Sequence, residues 1–253
     1  CGGRSTDMMA TCGQGGGGNI LTPSFLLPFT DLGSGAVSLL EQFGAAATFT
    51  RATTAWTVSS TGTILSVASG TARSYYSPGG SYLGLLTEGA RTNLVLQSQD
   101  LSVTWGNVGT PTLTGATTTL GALVLDTLGD DSATVLEGKQ QTITFTANAV
   151  KAISLYVKQG TATSSAIRLR DATAPANRLL VAITWSGTVP VVTMTTGTDA
   201  TGTAQQMGTS GVYRLAFLTT SLVAANSNLL QIYPATDAVL DTAATGTIEV
   251  GGI

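Results

Sequence analysis

From residue 91 onward, apolar and polar residues alternate with a period of two. Ile143 and Phe145 alternate with Thr142, Thr144 and Thr146, and Ile153, Leu155 and Val157 alternate with Ser154, Tyr156 and Lys158. Ile167 and Leu169 alternate with Arg168 and Arg170, and Leu179, Val181, Ile183 and Trp185 share one parity. The series continues through Val191 and Thr193, then Tyr213, Leu215 and Phe217, then Leu230 and Ile232, and ends at Ile248 and Val250. Such alternation predicts strands with one face in a core and the other in solvent. Turn clusters separate the runs at Gly129-Asp130-Asp131, Gln159-Gly160, Ser186-Gly187 and Gly208-Thr209-Ser210-Gly211. Many short antiparallel strands at this spacing predict an all-β fold, a two-sheet β-sandwich or jelly roll, over residues 91–253.

The earlier residues read differently. Residues 1–45 contain four consecutive glycines at 15–18 and predict an extended, Gly-rich attachment segment, because ordering four glycines costs much backbone entropy. Leu39, Leu40 and Phe43 form the best helix candidate, though the run is short. Residues 46–90 hold short β-rich runs, such as Trp56-Thr57-Val58, and predict a β-rich connecting region.

Composition narrows the chemistry. Only 10% of the 253 residues are charged and the net charge is −3, which argues against a nucleic-acid or anionic-membrane partner. There is no His, which removes His-dependent nucleophiles and the commonest zinc sites from this sequence. No cofactor and no catalytic residue is expected. Asp130 and Asp131, with Asp126 and Glu137 nearby, match no calcium-loop spacing and read as an Asp-rich surface turn. Aromatic platforms stack sugar rings, so the aromatic residues are the candidates for a binding face. Trp185 has core parity, Trp105 reads as a packing residue, and Tyr156 lies on the solvent parity as the candidate glycan contact.

One stretch carries a resemblance. Leu86-Thr87-Glu88-Gly89-Ala90-Arg91-Thr92-Asn93-Leu94, followed by Ser98, Asp100, Leu101 and Trp105, has the form LxEGARTNLxxxSxDL…W. It resembles a stretch found in tailed-bacteriophage virion structural proteins, both head-fibre and tail-fibre-associated. The runs Phe49-Thr50-Arg51-Ala52-Thr53 and Val67-Ala68-Ser69-Gly70-Thr71-Ala72-Arg73 are similar to the same group. Ser154-Leu155-Tyr156-Val157-Lys158 and Gly211-Val212-Tyr213-Arg214-Leu215 resemble strands of carbohydrate-binding-module jelly rolls.

The resemblance implies a fibre, spike or decoration subunit on the virion surface. It implies a homo-oligomer, with a trimer favoured, attached to other virion proteins through residues 1–45, and a host glycan as a further partner. Glu88 and Arg91 are expected to form a structural turn pair rather than a catalytic one. Cys1 and Cys12 are open to pairing, and Cys1 followed by two glycines also has the look of a lipoprotein N-terminus. The competing reading is therefore a bacterial surface lipoprotein or adhesin with a carbohydrate-binding jelly roll.

Overall fold

A computed structural model describes residues 50–86, 93–145, 148–197, 203–237 and 239–253. Residues 1–45, the helix candidate at Leu39, Leu40 and Phe43, both cysteines and the pair Glu88 and Arg91 lie outside the described residues. All the described residues fall within one compact unit, Ser38–Ile253.

The described chain is all-β. It opens with two small hairpins, β1 (Ala55–Val58) with β2 (Ile64–Val67), and β3 (Ser74–Tyr76) with β4 (Tyr82–Leu85). Twelve further strands follow: β5 (Gly106–Val108), β6 (Thr112–Leu120), β7 (Leu123–Asp130), β8 (Gly138–Thr144), β9 (Ala152–Gln159) and β10 (Ser164–Asp171). They end with β11 (Ala176–Ser186), β12 (Val189–Thr196), β13 (Thr203–Gln206), β14 (Val212–Leu218), β15 (Ser227–Tyr233) and β16 (Gly246–Gly251).

These twelve make two six-stranded sheets, ordered β12-β11-β10-β15-β8-β5 and β13-β14-β9-β16-β7-β6. Nested inside them, β8-β15-β10-β11 and β7-β16-β9-β14 have the strand order of a jelly roll, with every neighbouring pair antiparallel. The remaining strands extend the edges. The fold is a jelly-roll β-sandwich.

Its core is built by the alternation. Leu155, Val157, Ile167, Leu169, Leu179, Val181, Ile183, Leu215, Phe217, Leu230, Ile232, Ile248 and Val250 are all buried between the sheets. Cross-strand partners share a face, so one inward residue fixes the parity of its neighbours. That rule corrects the reading of β12. Ile183 pairs with Val192 and Val181 with Met194, which turns Val192 and Met194 toward the core. Val191 is 48% exposed on the opposite face. Two adjacent valines leave the parity of that run ambiguous until its partner strand is known.

Buried carboxylates fasten the loops. Asp126 accepts the Leu101 amide at 2.9 Å and the amide of Ala116 at 2.8 Å. Ala116 has a φ of 54° within the irregular pairing of β6, so this contact secures a left-handed residue. Asp171, fully buried, accepts the amides of Thr173 and Ala174 with one oxygen. Its other oxygen takes Arg178 Nη2 at 2.9 Å and Asn226 Nδ2 at 2.8 Å, joining the β10–β11 turn to the start of β15. The part of the LxEGARTNLxxxSxDL…W stretch that is described is also structural. Asn93 Nδ2 donates to the carbonyl of Ile253 at 2.8 Å, Ile253 N donates to Ser98 O, and Leu101 and Trp105 are buried in the core.

Two measurements test this account. Ile232→Ala removes a fully buried side chain between the sheets and is expected to lower unfolding free energy by about 2–5 kcal/mol. Val191→Ala is expected to stay within about 0.5 kcal/mol in the same denaturation assay. The second concerns pH. The amide of Ala174, then Arg178 and Asn226, hold the Asp171 carboxyl at about 2 against an ordinary 3.8, with burial opposing them. A depressed folded-state pKa gives stability that is present above the unfolded value and is lost as pH falls toward the folded one. Asp171→Asn is therefore expected to lower the urea midpoint at pH 7, and the gap is expected to close between about pH 4 and pH 2.

Candidate functional site

The sandwich has a second apolar cluster, on the outer face of the sheet containing β9. Leu123 and Leu125 of β7, Val212 of β14 and Met207 are buried there under Ile64 of β2, with Leu120 completing the group. The hairpins are what cover it. Ile64 O accepts the Ala122 amide at 2.8 Å, and a Cβ on Gly121 would collide with that same carbonyl. Gly62 and Gly208 meet backbone to backbone: a Cβ on Gly62, whose φ is +75°, would fall 2.5 Å from Gly208 N. Only glycine meets both demands.

Two arginines staple the hairpins, Arg51 within the first and Arg73 between the second and the first. Arg51 donates to the carbonyls of Thr53, Val67, Ala68 and Thr71, and Arg73 Nη1 donates to Trp56 O at 2.9 Å. Both belong to the runs that resemble virion proteins, and both act as backbone clamps. Thr57 Oγ1 adds a bond to Ser74 O, joining the first hairpin to the second.

Where the hairpins overhang the sheet, a pocket of about 310 Å³ opens. Trp56, Tyr75 and Pro78 line it from the hairpin side. Tyr156, Ser154, Arg214 and Gln205 line it from the sheet, with Met207 and Ile64 between. Gln205 pairs with Arg214 and Arg214 with Tyr156, so the three residues stand in one row across three neighbouring strands, whose backbones lie about 4.8 Å apart. Gly252, with a φ of +59°, leaves room for the Tyr156 ring; a Cβ there would lie 2.8 Å from Cδ2.

Tyr156 is half-buried rather than open to solvent, because the hairpin region 50–86 overhangs its strand. Burial pushes its phenol pKa up, with the Arg214 charge acting the other way. Trp56 is 46% exposed. Trp105 is buried, its Nε1 donating to Gln97 O at 3.3 Å, and Trp185 is half-buried against the core. The tryptophan that faces the pocket thus comes from the connecting region. No parity argument selected it, since β1 is only four residues long.

The acidic residues do other work. Asp126, Asp130 and Glu137 are buried, not parts of a surface turn; Asp131 alone of this group is exposed. Asp130 accepts the amides of Ser132 and Glu137, and Glu137 accepts the amide and hydroxyl of Thr110 and the amide of Asp131. Burial pushes the Asp130 carboxyl up, whereas the Thr110 hydroxyl holds Glu137 down. Their oxygens close loops between β7 and β8. Among the described residues no three of His, Cys, Asp and Glu gather as a metal site. Among the described residues, those lining the Trp56–Tyr156 pocket include no carboxylate. A neighbouring cleft of about 390 Å³ is lined mostly by core side chains, Ile143, Phe145, Leu169 and Leu230 among them, and has no aromatic pair.

No protein-family model matches this chain, and no curated protein matches it. Among solved structures, it is similar to the enzymatically active domain of tailspike protein 4 from bacteriophage CBA120. That likeness has a TM-score of 0.36 and 14% identity, covering 64% of this chain. The chain spans 20% of the length of the tailspike chain. A likeness this loose assigns neither fold nor activity.

The geometry makes a direct forecast about the three tryptophans. Trp56→Phe is expected to remove most of the acrylamide-quenchable fluorescence, since Trp105 is 5% exposed and Trp185 packs on the core. Unchanged quenching in Trp56→Phe would show that the hairpin turns this ring away from solvent.

Proposed function

We propose that the chain is a bacteriophage virion structural protein, a fibre, spike or decoration subunit, that displays its jelly roll on the particle surface and holds a host glycan between Trp56 and Tyr156. The observation that carries the glycan-binding part is the pocket itself. Aromatic rings on two walls offer faces to the apolar faces of a sugar, and Gln205 and Arg214 offer donors to its hydroxyl and ring oxygens. Among the described residues the lining offers stacking faces and donors and no acid pair, which supports a reading of binding.

The virion part rests on the LxEGARTNLxxxSxDL…W stretch and on composition. A surface of Thr, Ser and Gly with few charges repels its own copies weakly, which suits close packing in a symmetric particle. On this reading residues 1–45 dock on another virion protein and the subunits associate as a trimer.

Two assays test the proposal together. Antibody against the jelly roll is expected to label intact particles. Retention of the protein on a host-surface polysaccharide column is expected to weaken about tenfold in Trp56→Ala and in Tyr156→Ala, each losing one stacking face. Unlabelled particles would defeat the virion reading, and wild-type retention in both variants would defeat the assignment of the pocket.

A further inference from the structure

The cations of this protein are few, and several of the described ones are engaged. Lys158 pairs with Glu249 at 2.8 Å and Arg178 with Asp171 at 2.9 Å. Arg168 Nε donates to Asn177 Oδ1, and Arg51 is surrounded by carbonyls. Arg214 differs. Its side chain is exposed on the outer face of β14, lines the aromatic pocket, and has no carboxylate partner among the described residues. Around it in the pocket are Trp56, Tyr75, Tyr156, Ser154, Gln205 and Met207, and among the described residues of the lining none is acidic.

An arginine held in a row between an amide and a phenol, with aromatic walls beside it, presents a planar fork of donors and a positive charge to whatever enters. A neutral sugar needs donors but leaves that charge without a counter-ion. A sugar carrying a carboxylate supplies two coplanar oxygens that match the fork, and its ring still offers an apolar face for stacking.

From this geometry we infer that the pocket is selective for acidic sugars, with Arg214 binding the carboxylate of a uronic-acid-type residue while Trp56 and Tyr156 contact its ring. The inference rests on the glycan-binding reading above and adds the class of sugar. In a chain of net charge −3 it also places an isolated positive group where an acidic polymer would arrive.

The test uses the full chain and three acidic polysaccharides, polygalacturonate, alginate and hyaluronan, each beside its carboxyl-reduced form, in isothermal titration. At least one acidic form is expected to bind tenfold or more tightly than its reduced partner. Arg214→Gln is expected to erase that difference while leaving the weaker binding of the reduced form in place, and Arg214→Lys to restore only part of it. Trp56→Ala is expected to weaken both forms. Raising salt from about 0.05 to 0.5 M is expected to weaken only the acidic form.

Equal, Trp56-dependent binding of acidic and reduced forms would overturn the acidic-sugar inference and leave the glycan reading standing. Carboxyl selectivity that survives Arg214→Gln would overturn the assignment to Arg214. Arg214-dependent binding of a phosphate-bearing teichoic acid, with no uronate bound, would overturn the carboxylate assignment. No binding of any form by the folded wild-type chain, folding being checked by its circular dichroism, would overturn both readings.

Discussion

The seating of Ile64 on Leu123, Leu125 and Val212 is the contact on which the rest of the site depends. A jelly roll buries the facing sides of its two sheets and ordinarily leaves the outer sides to solvent. Here part of one outer side is apolar, and it is covered by a hairpin from the beginning of the described chain. Covering it brings Trp56 and Tyr75 over two neighbouring strands, β9 carrying Tyr156 and β14 carrying Arg214. The pocket is therefore a by-product of burying a second hydrophobic cluster. Glycines at 62, 121 and 208 let the backbones approach closely enough for that burial.

The scarcity of charge gives the remaining carboxylates structural roles. Asp126, Asp130, Glu137 and Asp171 each satisfy backbone amides in loops that no regular ladder reaches. A buried amide without a partner costs about 1–3 kcal/mol, and one carboxylate removes that cost for two or more donors. Four of the nine described acids, Asp126, Asp130, Glu137 and Asp171, are thus placed under loops.

Much of the sandwich was legible in the sequence because its inner faces obey strict alternation. Ile153, Leu155 and Val157, and likewise Tyr213, Leu215 and Phe217, pack against the core as their parity predicts. Alternation fails where both faces are covered. In β7, Leu123 and Leu125 face the hairpin while Leu128 faces the core, so the run has no polar side to read. In β12 two adjacent valines conceal the parity. The acids at 126–137 look locally like a turn, and only their long-range amide partners reveal that they are buried. The site was legible on one wall only: Tyr156 stands out by parity, but nothing local in residues 50–86 says which strand Trp56 will overhang.

The two walls of the pocket belong to separately paired pieces of chain, a short hairpin and a large sheet, held together chiefly by one small apolar cluster. Any molecule spanning both walls is bound only while the hairpin is seated. Occupancy and seating are then a single linked equilibrium, in which each raises the other by the same factor. A substitution outside the pocket lining, such as one at the Gly62–Gly208 contact, would act on affinity through the seating of the hairpin.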